Sequence, residues 1–166
     1  MFCTFRKLKS YKLLFFLILS LSVTSKKSIS CEAQYLKKEK IFIENKISKK
    51  KILFLVELAE KENERRKGLQ CKKYVDKNEG MLFVWPKEDF RYFWMKNTNM
   101  PLDLIFINSN FKIVEIYFDA VPLSKRIIKS KKKAQYVLEL NAGRLKNLGF
   151  DLGDLISFKK NKKKLF

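Results

Sequence analysis

The sequence predicts an α+β fold that is mostly β: a small barrel-like sheet of antiparallel or mixed strands with two short helices. Three observations lead to this prediction. Seven or eight short apolar runs carry β-branched and aromatic residues, turn residues separate these runs at close spacing, and only two short stretches suit a helix. Residues 51–160 are therefore expected to form a single globular domain, without an internal repeat or a second domain.

The first elements of this domain alternate between strand and helix. Residues 52–58 (ILFLVEL) form a short apolar run with β-branched side chains, which predicts a strand. Residues 60–69 are highly charged and lack β-branched side chains, so they favour a helix that ends near Gly68. A second strand is expected at residues 81–85, where Pro86 ends it because proline cannot donate a ladder hydrogen bond.

The middle of the domain is predicted to be a strand followed by a hairpin. Residues 90–95 (FRYFWM) place alternate side chains on opposite faces, so that Trp94 shares a face with the aromatic residues two and four positions before it. Residues 102–107 and 112–120 are apolar runs joined by Asn-Ser-Asn, which is typical of a hairpin turn.

The last elements are a strand, a short helix and a final strand. Residues 134–140 are rich in strand-forming side chains. Asn141 can cap a short helix that ends at Gly149, since Asn is favoured at the start of a helix and Gly at its end. Gly-Asp at residues 153–154 then forms a turn before a strand at residues 155–158.

Residues 1–30 have the layout of an export signal. Basic residues precede an uncharged run at residues 13–23 (LLFFLILSLSV), and small residues follow it. The run is too short to cross a bilayer alone, which takes about 20 residues. Three outcomes remain open: a cleaved signal peptide, a lipoprotein lipidated at Cys31, or an uncleaved membrane anchor. We therefore expect an exported protein of the cell envelope, either membrane-associated through this segment or periplasmic.

Two polar segments flank the predicted domain. Residues 31–50 are rich in lysine and are interpreted as a linker with a possible first strand around residues 41–43. Residues 161–166 belong to a lysine-rich tail that is expected to be solvated, because a run of like charges repels itself and rarely folds.

Charge and composition exclude several classes of function. The chain has 37 Lys and Arg against 17 Asp and Glu, a net charge of +20. The lysines occur in every segment, and export makes nucleic acid a poor partner, so we expect attraction to an anionic membrane or envelope polymer. The chain has no histidine, which removes Ser-His-Asp and Cys-His catalysis and the commonest zinc sites. We expect neither a metal ion nor a cofactor.

The cysteines leave two alternatives open. Cys3 lies within the export segment, which leaves Cys31 and Cys71 for the mature protein. These two could form one disulfide. Alternatively, Cys31 carries lipid and Cys71 remains a free thiol that the fold does not require.

Four stretches of the sequence carry a family resemblance. They are residues 64–69 (ERRKGL), 80–86 (GMLFVWP), 93–103 (FWMKNTNMPLD) and 136–143 (YVLELNAG), the last followed by Gly153-Asp154. On these motifs the segment from about residue 55 to 158 resembles domain-of-unknown-function family 192 (DUF192). The resemblance implies a compact, mostly β domain that is often exported, and it implies no established activity. The chain departs from the family pattern at Lys61, Gln70 and Lys72, where threonine, methionine and arginine are usual.

The most concentrated set of candidate ligand-binding residues lies in the third of these stretches: Trp94, Lys96, Asn97, Thr98 and Asp103. A tryptophan platform, a cation and orienting amide and hydroxyl groups would suit a small polar or anionic ligand. The alternative is purely structural. Asn and Thr before a proline are ordinary turn residues, Lys96 and Asp103 could form an ion pair across the turn, and Trp94 could belong to the core.

Glu139 and Arg65 complete the set of candidates. Glu139 interrupts an apolar strand, so an inward orientation would require a partner such as Arg65 or Lys96, because an unpaired buried charge is costly. The other alternative is a solvated Glu139 at the edge of the sheet. Arg65 itself could simply form surface pairs on its helix.

Two classes of function follow from these residues. The first is a non-catalytic, exported or membrane-anchored domain that binds a small polar ligand or a protein partner of the cell envelope. The alternative is a hydrolase that uses Asp103 and Glu139 as a paired acid and base, as in glycan cleavage. The hydrolase needs both carboxylates in one cleft, whereas the binding domain needs a concave face with Trp94 exposed in it.

Overall fold

The computed structural model of the chain describes residues 30–158. The fold is mostly β, as the sequence predicts, with nine strands and two short helices in this part of the chain. The elements are β1 (Lys38–Glu44), β2 (Lys51–Ala59), α1 (Glu62–Lys67), β3 (Glu79–Asp89), β4 (Tyr92–Phe93), β5 (Leu102–Ile107), β6 (Ile113–Ala120), β7 (Ile128–Lys129), β8 (Ala134–Asn141), α2 (Arg144–Asn147) and β9 (Leu155–Phe158).

Seven strands form a mixed sheet that curls into a half-barrel. They lie in the order β6-β5-β8-β3-β2-β1-β9, and each neighbouring pair is antiparallel except β2 and β3. The parallel pair is joined by a crossover that contains α1, as parallel strands require. The edge strands approach each other at a β-bridge between Lys112 and Leu155. β4 and β7 pair separately as a two-stranded ribbon.

Side chains alternate across the sheet and form one apolar core on each face. The first core contains Phe54 and Ile105 and is closed by Leu145 of α2. The second core contains Phe83 and Phe106, and residues from the ribbon and its loops also contribute to it. Successive residues of a strand therefore serve opposite faces. This alternation decides which polar side chains can meet.

Two strand boundaries differ from the sequence prediction. β3 continues through Pro86 to Asp89 instead of ending at residue 85. Its pairing with β8 is irregular beyond Val84, so Pro86 lies where no regular ladder hydrogen bond is needed. The strand predicted for residues 90–95 is confined to β4, because Met95 already donates its N–H to the carbonyl of a neighbouring loop.

The helices are shorter than predicted. α1 ends at Gly68 as expected, with the Gly68 N–H bonded to the Glu64 carbonyl at 2.9 Å. Lys61 occupies the N-cap position before the helix and offers no side-chain cap, and the Glu64 carboxylate accepts the N–H of Lys61 at 3.0 Å. The prediction that Asn141 caps the second helix is wrong. Asn141 is the last residue of β8 and its amide donates to the Val75 carbonyl at 2.7 Å.

The segment before residue 51 belongs to the domain and is more than a linker. The possible first strand is confirmed as β1, which pairs with both β2 and β9. Upstream of it, Cys31 forms a disulfide with Cys71, with 5.6 Å between their Cα atoms. Gln34 donates to the Gly68 carbonyl at the end of α1 at 3.0 Å. Of the two cysteine alternatives the structure contains the disulfide, and Cys71 is therefore not a free thiol.

The predicted export segment, apart from its last residue, and the basic tail at 161–166 lie outside the described residues. Within residues 30–158, neither helix has the length or the apolar character that a membrane crossing requires.

Candidate functional site

Glu139 lies in the middle of the sheet, on the face of the second core. Glu139 belongs to β8 and pairs with Met81 of β3 on one side and with Leu104 of β5 on the other. Only 4% of the residue is exposed. Of the two orientations that the sequence left open, the structure has the inward one.

The Glu139 carboxyl faces a pocket between the sheet, α1 and the ribbon, with a volume of about 550 Å³. We call it the α1 pocket. Its walls are aromatic, with the rings of Phe83 and Phe93 packed edge to face at 5.1 Å between centroids. Basic side chains of α1 form one rim. The residues that line it are Glu62, Arg65, Arg66, Lys67, Gly68, Leu69, Gln70, Phe83, Trp85, Tyr92, Phe93, Trp94, Thr98, Ile127 and Glu139.

Burial alone raises the pKa of Glu139 to about 8. In the described part of the chain, neither an ion pair nor a hydrogen bond involves this carboxyl group. At neutral pH it is therefore mostly protonated, and a protonated carboxyl can donate one hydrogen bond. The pocket thus has a neutral hydrogen-bond donor at its base.

The two cations proposed as partners of Glu139 interact elsewhere. The Arg65 guanidinium donates to the Val84 carbonyl at 2.9 Å and lies 5.3 Å from the centroid of the Trp85 ring. The Lys96 ammonium lies 5.3 Å from the centroid of the Trp94 ring. Neither of these cations therefore forms an ion pair with the Glu139 carboxyl.

The predicted cluster from Trp94 to Thr98 divides between the α1 pocket and its surroundings. Trp94, which is 40% exposed, and Thr98, which is buried, both line the pocket. Lys96 lines a neighbouring groove that shares Trp94. Asn97 has a left-handed backbone with a φ of 57°, and its carbonyl accepts the N–H of Cys71 at 2.8 Å. Asn97 is thus a turn residue, as the structural alternative had it.

Asp103 is fully buried on the opposite face of the sheet from Glu139. It pairs with Leu140 of β8, whereas Glu139 pairs with Leu104, so the two carboxylates point to different cores. Asp103 accepts the backbone N–H groups of Asp119 at 3.0 Å and of Gly143 at 2.8 Å. The predicted Lys96–Asp103 ion pair is absent from residues 30–158. The paired carboxylates of the hydrolase alternative are not in one cleft.

Sequence reasoning missed another buried carboxylate, Glu57 on β2. Its side chain forms an ion pair with Lys72 at 2.7 Å, and both side chains are less than a tenth exposed. The Lys72 ammonium also lies 4.0 Å from the centroid of the Tyr35 ring. Lys72 therefore replaces the usual arginine of the family pattern in a charge pair. The signal was available, since Glu57 interrupts an apolar run as Glu139 does.

The described residues contain no group of three or more His, Cys, Asp or Glu side chains that could hold a metal ion. Carboxylates at the α1 pocket are limited to Glu139 and Glu62, and Glu62 accepts a hydrogen bond from Arg66 at 3.0 Å. Within residues 30–158 the pocket therefore combines aromatic contact surface, basic charge and neutral polar groups, the protonated Glu139 carboxyl among them.

Comparisons with known proteins agree with this fold. The family model DUF192, described as an uncharacterized ACR, matches residues 43–158. A solved structure from Sinorhizobium meliloti 1021, named as a candidate transcription regulator, is 37% identical with a TM-score of 0.73, and the match covers 76% of this chain and 98% of that one. A protein of unknown function from Novosphingobium aromaticivorans DSM 12444 is 28% identical with a TM-score of 0.71, covering 79% and 94%. No curated protein matches.

Proposed function

This chain belongs to the DUF192 family, and we propose that it is an exported, non-catalytic domain of the cell envelope that binds a small ligand in the α1 pocket. The ligand class is a molecule with an apolar, planar body and an anionic group. The observation that carries the proposal is the Glu139 carboxyl, which is buried in the lining of the pocket and has no hydrogen-bond or ion-pair partner in the described chain.

Burial of a carboxyl group without a compensating cation disfavours its ionised form, and this lowers stability above the ordinary pKa of the group. An apolar residue at position 139 would avoid this cost. The same face accommodates such a side chain two residues earlier, where Val137 is fully buried in the second core. An oxygen acceptor on a ligand would satisfy the protonated carboxyl. The side chain is thus suited to a bound molecule rather than to packing.

The rest of the pocket supports an anionic and planar ligand. Trp85, Phe93 and Trp94 offer ring faces and edges against which a flat apolar group can pack. Lys67, together with Arg66, supplies positive charge at the rim. The rim would repel a cationic ligand, and the neutral carboxyl below it would offer little compensating charge.

A non-catalytic role is favoured by the isolation of Glu139. Acid–base hydrolysis by two carboxyl groups needs both on the reacting bond. Asp103 is on the other face of the sheet, and Glu62 is an exposed rim residue paired with Arg66. Export is supported by the signal-like residues 1–30 and by the Cys31–Cys71 disulfide, because disulfides persist mainly in oxidising compartments.

Ligand binding can be tested with intrinsic fluorescence, because both tryptophans of the chain, Trp85 and Trp94, line the pocket. We expect phenylacetate to change the emission of the purified full-length protein in a saturable way. The uncharged analogue 2-phenylethanol should bind more weakly, and phenethylamine most weakly. Phenylacetate affinity should fall as the pH rises above about 8, because the ionised Glu139 then repels it.

Three variants assign the effect to Glu139. Glu139→Leu should weaken phenylacetate binding, since the donor is lost. Glu139→Gln keeps a donor and should bind without the pH dependence. Glu32→Gln changes an exposed carboxylate and is the matched control, which should behave like the wild type. If phenethylamine binds more tightly than phenylacetate, and increasingly so above about pH 8, the site prefers cationic ligands and the proposal is rejected. An emission spectrum that none of the probes alters would also reject it.

A further inference from the structure

The segment at residues 121–133 (VPLSKRIIKSKKK) has an unusual surface. It contains six basic residues and no acidic residue, and all six basic side chains are exposed. Three large apolar side chains of the same segment are exposed as well: Val121 at 65%, Leu123 at 57% and Ile127 at 53%. A soluble surface usually keeps such side chains apart, so the combination indicates a contact site.

Backbone hydrogen bonds hold the first part of this segment against the Trp94 loop. The Leu123 N–H donates to the Thr98 carbonyl at 3.0 Å, and the Ser124 carbonyl accepts the N–H of Met95 at 2.9 Å. Further along the segment, β7 pairs with β4. The exposed apolar residues thus occupy a defined position on a paired scaffold.

The aromatic residues of the ribbon extend this surface. Tyr92 is 61% and Trp94 40% exposed, and Ile127 lines the α1 pocket together with both of them. The Lys129 ammonium lies 5.7 Å from the centroid of the Tyr92 ring. We call residues 121–133 with Tyr92 and Trp94 the basic-apolar face. Two acidic residues of the described chain adjoin the face: Glu115 accepts the backbone N–H groups of Lys131 and Lys132, and the pKa of Glu88 is lowered by hydrogen bonds from Ser109 and further by the charge of Lys133.

We propose that the basic-apolar face docks the domain on an anionic phospholipid surface. Interfacial binding requires apolar and aromatic side chains that enter the headgroup region, and basic side chains around them that attract anionic lipid. This face supplies both. Binding to nucleic acid would also require the cations, but it would not require exposed aliphatic side chains. The inference is independent of ligand binding in the α1 pocket, although the pocket opens beside this face.

Vesicle co-sedimentation of the full-length protein tests this proposal. Binding is measured to vesicles of phosphatidylcholine alone and of phosphatidylcholine mixed with phosphatidylglycerol, and the ratio of the two partition coefficients is the readout. The apolar run at residues 13–23 contributes to both lipid mixtures, so the ratio isolates the charge-dependent contact. We expect a clear preference for the anionic vesicles that declines as sodium chloride is added.

Two variants dissect the face. Each basic side chain near an anionic surface is worth about a fivefold change in partition. Replacing Lys125, Arg126 and Lys129 by glutamine should thus lower the ratio by on the order of a hundredfold. The pair Leu123→Ser and Ile127→Ser should weaken binding to anionic vesicles without changing its salt dependence.

A matched control removes the same charge elsewhere. Lys40, Lys49 and Lys77 are exposed residues outside the face, and their replacement by glutamine should leave the ratio within about threefold of the wild type, because the contact is local. An equal drop in the control and the face variant would mean that only net charge matters, and it would overturn the proposal. An unchanged ratio in the face variant, or unchanged vesicle binding in the serine pair, would also overturn it. Single-stranded RNA binding is measured in parallel, and a face variant that loses RNA binding but keeps vesicle binding would overturn it as well.

Discussion

Glu139→Gln preserves the shape of the side chain and removes its ionisation. In the folded protein the pKa of Glu139 is raised from 4.5 to about 8 by burial. In the unfolded chain the group ionises near its ordinary value. Between these two values the folded state keeps a proton that the unfolded state has lost, so unfolding releases a proton and stability falls as the pH rises.

The size of this effect follows from the shift. Each pKa unit corresponds to about 1.4 kcal/mol, and linkage across the window from about pH 5 to pH 8 gives a loss of roughly 3–4 kcal/mol from this one group. Below the unfolded pKa Glu139 is neutral in both states and costs no stability, and the loss accumulates as the pH rises towards the folded pKa. Glutamine does not titrate, so the variant avoids this loss.

Urea unfolding of the wild type and Glu139→Gln at about pH 5 and pH 8 measures the effect as a difference. The variant should gain roughly 3–4 kcal/mol relative to the wild type at the higher pH. The chain has no histidine, so few other side chains titrate in this window, and their contributions cancel in the comparison. A relative change below about 1 kcal/mol would refute the reasoning, because Glu139 would then be ionised and paired in the folded state.

Two further predictions concern the contacts that hold the segment before β1 to the domain. Replacing both Cys31 and Cys71 by serine should lower the free energy of unfolding by about 2–4 kcal/mol in a urea melt, because the bridge closes a loop with a sequence separation of 40. A melt unchanged by the replacement, or by reductant on the wild type, would contradict this. Lys72→Met should cost about 3–5 kcal/mol by stranding Glu57, and the double variant Lys72→Met with Glu57→Leu should recover most of it. Equal instability of the single and double variants would count against a compensated pair.

The strand order could not be read from the sequence, although most of the strands could. Alternation and turn residues predicted β2, the β5–β6 hairpin, β8 and β9, because side-chain periodicity is a local signal. Partner choice depends on contacts between distant segments, and no local pattern encodes the parallel pairing of β2 with β3. The sequence predicts a linker at residues 31–50 for the same reason: residues 31–37 are held to the domain by tertiary contacts, the disulfide and the Gln34 amide, which no local pattern encodes.

The candidate site was predicted in part. Alternation correctly placed Glu139 on a face with Val137. It also grouped Trp94 with Phe90 and Tyr92, and all three are more than a third exposed in the structure. The grouping of Asp103 with Trp94 and Lys96 was wrong because proximity along the chain was taken for proximity in space. Asp103 is the second residue of β5. Because side chains alternate between the two faces of a strand, its side chain points to the first core, on the face opposite to Leu102 and Leu104.

The second-core face carries two buried glutamates in one transverse row of the sheet. Met81 of β3 pairs with Glu57 on one side and with Glu139 on the other. The two carboxyl groups therefore lie two strands apart on the same face of the sheet. Glu57 is compensated by the Lys72 ammonium, and its other oxygen accepts the N–H of Leu36 at 2.8 Å.

Glu139 has no such compensation in the described chain, although the same fold supplies it two strands away. At neutral pH the raised pKa of Glu139 corresponds to about 3 kcal/mol of lost stability relative to a group that does not titrate. A structural role would be served better by an aliphatic side chain, as at Val137. An uncompensated acid beside an aromatic pocket is the arrangement expected where a bound molecule supplies the missing partner. Binding would then stabilise the domain by an amount that increases with the logarithm of ligand concentration above the Kd, because only the folded state presents the pocket.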